Sequence, residues 1–195
     1  KAATGSGAAC RLCGAGKYTA EGNGASAAGA GATHCIHCPV GTYKSVETLE
    51  GAPCQNCLAG KYTANSSNVS VTGTGAVECT NCPAGKYKSI TNVSGAACTQ
   101  CPAGSYTAES TGNVFVTGAG AVKCPDCEAG KFKSVDSTES SNPDCQACGA
   151  GSYTANSGGS ESVTGAGAKK CPACVEGKFK AATGSGAACR LCGAG

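Results

Sequence analysis

The chain has 195 residues, of which 31 are glycine and 18 are cysteine, and its formal net charge at pH 7 is only +3. Tryptophan and methionine are absent and aromatic residues make up 5%. A single large hydrophobic core is therefore excluded, because the bulky side chains that would fill it are missing. No apolar run reaches the roughly 18 residues of a membrane-spanning helix, and no signal peptide is recognisable. Because the first residue is Lys1, we expect a processed or excised piece.

Short strands are predicted along the chain wherever the stretches KYTA, YKS and VTG occur, with turns in the glycine-rich segments between them. No amphipathic helix of useful length is predicted. Each small unit is expected to contact only its neighbours. The predicted fold is therefore a small disulfide-rich tandem-repeat array of short β-hairpins and loops, with little or no helix, in the form of an elongated rod or fibre.

All 18 cysteines lie in C-x-x-C pairs. So many cysteines in a chain with little core are typical of a disulfide scaffold. Structural zinc is the alternative, because successive C-x-x-C pairs also have zinc-ribbon spacing. The pairs form one continuous series rather than groups of four ligands, and N-glycosylation sequences occur at Asn65, Asn68 and Asn92. We therefore predict disulfides, no metal ion, an extracellular or cell-surface location, and N-linked glycans at these asparagines, with O-linked glycans on serine and threonine.

The spacing from one pair to the next alternates between 22–23 and 15–18 positions, which defines long and short modules. One long and one short module form a unit of 44 or 47 residues, a period typical of linear arrays. The predicted boundaries are residues 1–13 for a partial module continuing from a preceding cassette, 14–57, 58–101, 102–148 and 149–192 for repeat units 1 to 4, and 193–195 for the start of the next unit.

Residues 1–16 and 180–195 are identical, at an offset of 179 positions. The simplest account is that a four-unit cassette of 179 residues recurs in a longer tandem array; a circular permutation is the alternative. A fibre needs such translational equivalence. We predict a non-enzymatic structural protein, the repeating segment of an extracellular glycosylated fibre or appendage, whose partners are further copies of itself, head to tail. The alternative is a coat antigen or adhesin stalk of a protist, with a contact patch at 112–116 around Phe115.

Within the modules, a glycine stands three residues after each second cysteine, and an aromatic residue usually stands two further on. The glycine is predicted to supply a turn with positive φ. The ring is predicted to pack on the disulfide as a miniature core; a sugar-binding platform is the alternative. Phe132 and Phe179 favour packing, because they keep the ring without a hydroxyl. The flanking lysines are predicted to form a solvated face, with polyanion binding as the alternative. They are Lys17, Lys44, Lys61, Lys86, Lys88, Lys131, Lys133, Lys178 and Lys180.

The sequence alone leaves the disulfide connectivity open. In one scheme, the second cysteine of each pair bonds to the first cysteine of the next and closes one module. In the other, whole pairs are interleaved and one complete pair is left over. The first scheme reserves Cys10 and Cys192 for bonds to the preceding and following cassettes. Its internal bonds are Cys13–Cys35, Cys38–Cys54, Cys57–Cys79, Cys82–Cys98, Cys101–Cys124, Cys127–Cys145, Cys148–Cys171 and Cys174–Cys189.

The sequence offers no active site. His34 and His37 could form a metal cluster only if Cys35 and Cys38 were reduced. Thioredoxin-like redox chemistry is disfavoured because nine C-x-x-C copies occur without a βαβ pattern. Acid–base pairs, phosphate loops and basic-aromatic clusters are not found. We therefore predict no catalytic residue, no cofactor, no nucleic-acid partner and no small-molecule substrate.

The segments 79–87 and 98–106 read C-x-x-C-P-A-G-x-Y, and 35–43 is close to this signature. It resembles the ephrin-receptor-like, or GCC2/GCC3-type, cysteine-rich repeat. The opening of a tumour-necrosis-factor-receptor module is similar, and there the cysteine before the proline bonds to the first cysteine of the next pair. This resemblance supports the first disulfide scheme. The alternating spacing and the Ala/Gly/Ser/Thr-rich loops are similar to the surface immobilisation antigens of ciliates, and imply a secreted scaffold without catalytic residues.

Overall fold

A computed structural model describes residues 11–27, 31–46, 53–89, 97–111, 113–138 and 140–193. Over these ranges the chain has no helix long and apolar enough to span a membrane, and its regular structure consists of twelve short strands. The strands pair two by two along the chain, each odd-numbered strand with the strand that follows it, in antiparallel two-stranded sheets. This confirms the predicted series of hairpins. The strands are β1 Lys17–Ala20, β2 His34–His37, β3 Thr42–Tyr43, β4 Gln55–Asn56, β5 Lys61–Ala64, β6 Glu78–Asn81, β7 Lys86–Tyr87, β8 Thr99–Gln100, β9 Lys131–Phe132, β10 Gln146–Ala147, β11 Lys178–Phe179 and β12 Arg190–Leu191.

A tight turn precedes the first strand of each hairpin. In the turn before β3, the Thr42 N–H donates to the Pro39 carbonyl at 3.1 Å. Gly41, at the third position of this turn, has φ 81°, a conformation that glycine adopts without steric cost. The predicted role of the glycine is therefore observed.

The second strand of each hairpin contains the two residues between the cysteines of the next pair. Tyr43 lies opposite Gln55, and Thr42 lies opposite Asn56. The register is therefore fixed by the cysteines, because the aromatic position always faces the first spacer residue of the next C-x-x-C pair. The equivalent pairs are Tyr18–Ile36, Tyr62–Thr80, Tyr87–Thr99, Phe132–Gln146 and Phe179–Arg190.

The Val-Thr-Gly stretches at 71–73, 116–118 and 163–165 are not strands, so that prediction was wrong. In each of them the valine carbonyl accepts a hydrogen bond from a threonine side chain instead, as Val71 does from Thr63 Oγ1 at 2.7 Å. A short hydroxyl side chain competes with backbone ladder bonds in this way. The equivalent bonds run from Thr107 to Val116 and from Thr154 to Val163.

The disulfides form one serial ladder, in which each bond closes one module. Seven of the bonds have Cα–Cα distances of 5.5–5.8 Å: Cys13–Cys35, Cys38–Cys54, Cys57–Cys79, Cys101–Cys124, Cys127–Cys145, Cys148–Cys171 and Cys174–Cys189. Cys82 and Cys98 are disulfide-bonded as well. This arrangement is the first of the two schemes considered from the sequence. Cys192 is an exposed free thiol, and Cys10 lies outside the described residues.

The core consists of cysteine and alanine rather than of aromatic rings. The second cysteines of the pairs from Cys13 to Cys148 are at most 1% exposed, and so are alanines such as Ala64 and Ala108. The rings are only half-buried, and Phe179 is 46% exposed. The expected aromatic core was therefore wrong, because the disulfide and the small side chains already fill the narrow interior of a module.

Contacts divide the chain into two units, Lys1–Asn81 with Lys88–Cys98, and Cys82–Tyr87 with Thr99–Gly195. The first unit contains hairpins β1–β2, β3–β4 and β5–β6. The second contains β7–β8, β9–β10 and β11–β12. The repeat boundaries derived from the cysteine spacing stay a prediction.

Candidate functional site: the joints between modules

Successive modules are joined by a recurring backbone hydrogen bond. The Gly75 N–H, near the end of a long module, donates at 2.8 Å to the carbonyl of Cys38, which begins the preceding short module. Gly75 belongs to a Gly-x-Gly-Ala segment that every long module carries just before its closing cysteine, at 29–32, 73–76, 118–121 and 165–168. The same 2.8 Å bond joins Gly120 to Cys82 and Gly167 to Cys127.

The alanine of this segment makes a second contact with the preceding short module. Ala76 forms a parallel bridge with Tyr43, and the Lys44 N–H donates to the Ala76 carbonyl at 3.2 Å. Ala76 is 1% exposed, so the joint leaves no room for a larger side chain. The parallel bridge recurs at Tyr87–Ala121 and at Phe132–Ala168.

The turn glycine also faces the module two places further along. A Cβ on Gly104 would lie 2.5 Å from the Gly167 carbonyl oxygen, and a Cβ on Gly16 would overlap the Gly75 oxygen. Real Cβ atoms do not approach an oxygen so closely. The glycine is therefore required twice, for its positive φ and for this close approach. The sequence alone indicated only the first reason.

Each long module is tied to the following short one by a bond from the same glycine. The Gly16 N–H donates to the Lys44 carbonyl at 2.7 Å, and the Gly104 N–H donates to the Lys133 carbonyl at 2.9 Å. The bonds from Gly60 to Lys88 and from Gly151 to Lys180 are equivalent. The same backbone bond therefore recurs from each long module to the short module that follows it, with N···O distances of 2.7–2.9 Å.

Four lysines of the predicted solvated face are buried. Lys44, Lys88, Lys133 and Lys180, all six residues after a second cysteine, are only 2–6% exposed. The prediction was wrong for them, because their backbones lie inside the joint just described. The signal was in the sequence: this position is lysine in every short module and threonine in every long one. The lysines two residues earlier, such as Lys61 and Lys131, are half-buried.

Lys133 shows how such a lysine is accommodated. Its Nζ donates to the Ser105 carbonyl of the preceding long module and to Ser137 Oγ. Burial lowers the pKa of Lys133, while Asp136 and Asp144 act in the opposite direction. Burial lowers the pKa of Lys88 as well. A buried ammonium is costly unless hydrogen bonds replace its water; here the bond to Ser105 crosses the joint and the bond to Ser137 lies within the short module.

Lys44 and Lys180 occupy the equivalent position, but their buried Nζ atoms have no hydrogen-bond partner within the described residues. The four lysines therefore share a location and not a hydrogen-bond network. The location makes them structural residues of the joint rather than a surface for polyanions.

The tyrosine hydroxyls are used in the long modules. Tyr62 Oη donates to the Asn68 carbonyl at 3.1 Å, and Tyr153 Oη donates to the Gly159 carbonyl at 3.0 Å. Tyr106 makes the same bond to Asn113. The accepting residues all have positive φ, so the hydroxyl fixes the tip of the long loop. Phenylalanine occurs at the aromatic position only in short modules, so Phe132 and Phe179 remove no bond of this kind.

Phe115 is not an isolated surface residue. Its ring packs edge-on against Tyr106 with a centroid distance of 6.3 Å, and its backbone bridges to Ala108. The contact patch considered at 112–116 is therefore partly engaged within its own module, and Gly112 lies outside the described residues.

Asn65 and Asn68 lie together at the tip of one long loop. Asn65 Oδ1 accepts hydrogen bonds from the N–H groups of Ser67 and Val69, both at 2.9 Å, and Asn68 Oδ1 accepts one from Thr80. Within the described residues, neither Nδ2 donates a hydrogen bond, and Nδ2 is the atom to which an N-linked glycan is attached. Asn92 lies outside the described residues.

His34 and His37 lie on strand β2, where His34 Nδ1 is 2.7 Å from Thr33 Oγ1. Cys35 and Cys38, which would be needed as metal ligands, are held in disulfides. Among the residues that the structure describes, no group of three or more His, Cys, Asp or Glu side chains could hold a metal ion.

Comparison with known families agrees with this disulfide architecture. The family described as tyrosine-protein kinase ephrin type A/B receptor-like matches the chain twice, at residues 24–73 and 70–113. No curated protein matches the chain. Together the matched regions include the long module closed by Cys57–Cys79 and the joint between Cys38 and Gly75.

Proposed function

We propose that this chain is the repeating segment of an extracellular glycosylated fibre or appendage. The proposal starts from its cysteine-rich repeats of the ephrin-receptor-like type. Repeats of this family are non-catalytic and belong to surface proteins. The fibre role goes further and is our own inference from the joints and the repeated ends.

One observation carries the proposal. The joint between a short and a long module recurs with the same 2.8 Å bond at Cys38–Gly75, at Cys82–Gly120 and at Cys127–Gly167. Residues 1–16 and 180–195 are identical, so the series of joints can continue from one cassette to the next. A contact that repeats head to tail without closing generates a filament.

The chemistry of the chain suits a fibre outside the cell. Each disulfide closes a loop of 15–23 residues, a restraint on the unfolded chain worth about 3 kcal/mol. Cys192 occupies the position in the repeat that Cys13 occupies at the start, and we propose that it bonds to Cys35 of the following cassette, with Cys10 bonding to the preceding one. Glycans on Asn65, Asn68 and Asn92 would hydrate loops that carry few charges.

A coat antigen or adhesin stalk is the second candidate. Val69 and Val114, at the tips of two long loops, are 58% and 55% exposed. In this candidate function, the two valines would supply the apolar contact with a partner. This function predicts that Val114→Ser weakens adhesion of the native material, whereas a purely structural fibre predicts no change.

The length of the native polypeptide tests the fibre proposal. The mass of the native, deglycosylated chain would be measured before and after reduction. We expect a polypeptide containing several cassettes of 179 residues. A chain that ends close to residue 195 in the native material would remove the main support for the fibre.

A further inference from the structure

We propose that consecutive cassettes meet through a copy of the internal joint between short and long modules, with a second copy of this cassette as the partner. One side of this joint is the trailing edge, which we define as Gly151, Cys174, Phe179 and Lys180. Its partner is the leading segment of the following cassette, residues 31–32. The inference rests on the proposed role of the chain as a repeated segment.

The internal joints predict which atoms would pair. The Gly75 N–H bonds to the Cys38 carbonyl, and the Lys44 N–H bonds to the Ala76 carbonyl. In the short module of repeat unit 4, the residues that correspond to Cys38 and Lys44 are Cys174 and Lys180. The Gly31 N–H of the following cassette would therefore donate to Cys174, and the Lys180 N–H would donate to Ala32 of that cassette.

The turn glycines show where a partner is missing. A Cβ on Gly104 would lie 2.5 Å from the Gly167 oxygen, and a Cβ on Gly130 would overlap the Gly184 oxygen. At the equivalent Gly151 and Gly177, a Cβ would meet nothing within 4 Å among the described residues. At the internal glycines this space is filled by the module after next, and at Gly151 and Gly177 it is open.

The exposure of the ring at the trailing edge agrees. Phe179 is 46% exposed, whereas the equivalent Phe132, which bridges to Ala168 at an internal joint, is half-buried. The trailing edge is therefore a joint surface without its other half.

The leading segment has the conformation that the joint requires. Gly31 has a positive φ of 100°, close to the φ values of 83–92° at the equivalent Gly75, Gly120 and Gly167. It is exposed, and a Cβ there would meet nothing within 4 Å. Residues 29–32 carry the same Gly-x-Gly-Ala pattern as the three internal segments.

The connecting chain has the right length. From the joint lysine to the paired glycine, the internal separations are 31 residues for Lys44–Gly75, 32 for Lys88–Gly120 and 34 for Lys133–Gly167. If residues 180–195 serve as residues 1–16 of the following cassette, the separation across the seam equals that of Lys1–Gly31, which is 30 residues. The repeat of 179 positions therefore brings Gly31 within reach of Cys174.

The test uses the full chain extended by one cassette: residues 1–195 followed by residues 17–195, so that the 16 shared residues occur once at the seam. Fluorophenylalanine labels Phe115, Phe132 and Phe179 in both cassettes, and the Phe179 signals are identified by Phe179→Tyr. Solvent exposure of each fluorine is measured as its shift between H₂O and D₂O. In the chain of 195 residues, Phe179 should give one signal with a large solvent shift.

In the two-cassette chain, we expect two Phe179 signals of equal intensity, one of which has its solvent shift reduced to that of the Phe132 signal. Gly151→Asn in the first cassette should restore the large shift, because its side chain would occupy the place of the Gly31 carbonyl. Asparagine is chosen because Asn68 and Asn113 already adopt positive φ in this chain. Gly159→Asn is the matched control, because its φ is 80° and a Cβ there would meet only Lys170 of its own module; it should leave both signals unchanged.

Two Phe179 signals with equally large solvent shifts would overturn the proposed joint, and so would a buried signal that Gly151→Asn leaves buried. This result is independent of the fibre itself. A protected Phe179 in the two-cassette chain, together with a native polypeptide of only one cassette, would preserve the joint and refute the fibre. Native chains of several cassettes, together with equally exposed Phe179 signals in the two-cassette chain, would preserve the fibre and refute the joint.

Discussion

The backbone N–H of Gly75 donates to the carbonyl of Cys38 at 2.8 Å. This bond couples the end of a long module to the disulfide that begins the preceding short one. Its recurrence at Gly120 and at Gly167 makes the array a chain of interfaces between neighbouring repeat units, in which stability is approximately a sum over repeats and their joints. A substitution at a joint should therefore change the local stability there, which amide hydrogen exchange or chemical denaturation measures.

Gly104→Ala should destabilise its joint strongly. The new Cβ would lie 2.5 Å from the Gly167 carbonyl oxygen, and φ at this position is 84°, which costs a residue with a Cβ about 1–2 kcal/mol before any clash. We expect a total loss of about 3 kcal/mol, since steric strain of this kind adds to the conformational cost. Gly118→Ala is the control: its Cβ would meet nothing within 4 Å, and a loss as large there would contradict the explanation.

Tyr153→Phe should loosen the long loop of repeat unit 4. The substitution removes the 3.0 Å bond from the hydroxyl to the Gly159 carbonyl, and a hydrogen bond of this kind contributes about 1 kcal/mol. Faster exchange of the Gly159 amide would report the loss. Tyr87→Phe, in a short module, should change nothing, because the Tyr87 hydroxyl has no partner among the described residues; an equal effect at both sites would count against a specific role for the hydroxyl.

Lys133→Met should destabilise its joint by about 1–3 kcal/mol, because the Ser105 carbonyl and the Ser137 hydroxyl would be left buried without a partner. Lys44→Met is the matched variant. Lys44 Nζ has no partner within the described residues, so removal of its charge should be neutral or stabilising. Urea denaturation of the two variants measures the difference, and a larger loss at Lys44 than at Lys133 would refute this assignment.

The stability should rise as the pH increases toward 10.5. Burial lowers the pKa of Lys133 and of Lys88 below 10.5. Between the lowered pKa and 10.5, the folded chain has released these protons while the unfolded chain still binds them. The free energy of unfolding therefore increases with pH in this window, and the penalty of the buried charge is complete below it.

Urea denaturation at several alkaline pH values, with Cys192 alkylated to prevent disulfide exchange, would measure this slope. The double variant Lys88→Met with Lys133→Met should lack most of it. An unchanged slope in the double variant would show that other groups titrate in this range.

Asn65 and Asn68 should both carry glycans. Their Nδ2 atoms donate no hydrogen bond among the described residues, whereas Asn156 Nδ2 donates to Glu161 at 2.8 Å and is not part of a glycosylation sequence. Enzymatic deglycosylation of native material in ¹⁸O-water should convert Asn65 and Asn68 to labelled Asp and leave Asn156 unlabelled. Unlabelled Asn65 and Asn68 would contradict the prediction.

The regular features of the sequence predicted the fold because covalent bonds and turn geometry determine it locally. The cysteine spacing implied modules closed by disulfides, and the glycine at the third position of the turn required positive φ, as Gly41 shows. The burial of Lys133 could not be predicted in the same way. A lysine beside a ring has the same pattern whether it faces water or a neighbouring module, and only the alternation with Thr107 and Thr154 distinguishes the two.

The misassigned strands have a related cause. Val71 and Val116 have high β-propensity, but their carbonyls bond to the side chains of Thr63 and Thr107. Contacts between residues that are eight or nine positions apart outweigh the local preference of the chain. The joints themselves connect residues more than 30 positions apart, as Cys38 and Gly75 do, and no periodicity in the sequence specifies which backbone groups pair.

The central claim is that the chain is one period of a fibre. Electron microscopy of native, unreduced material tests it most directly. We predict long filaments whose axial repeat matches one cassette of 179 residues, and fragmentation of these filaments after reduction of the disulfides. Short isolated rods, or a membrane-attached coat without a cassette repeat, would contradict the claim and support the coat-antigen function.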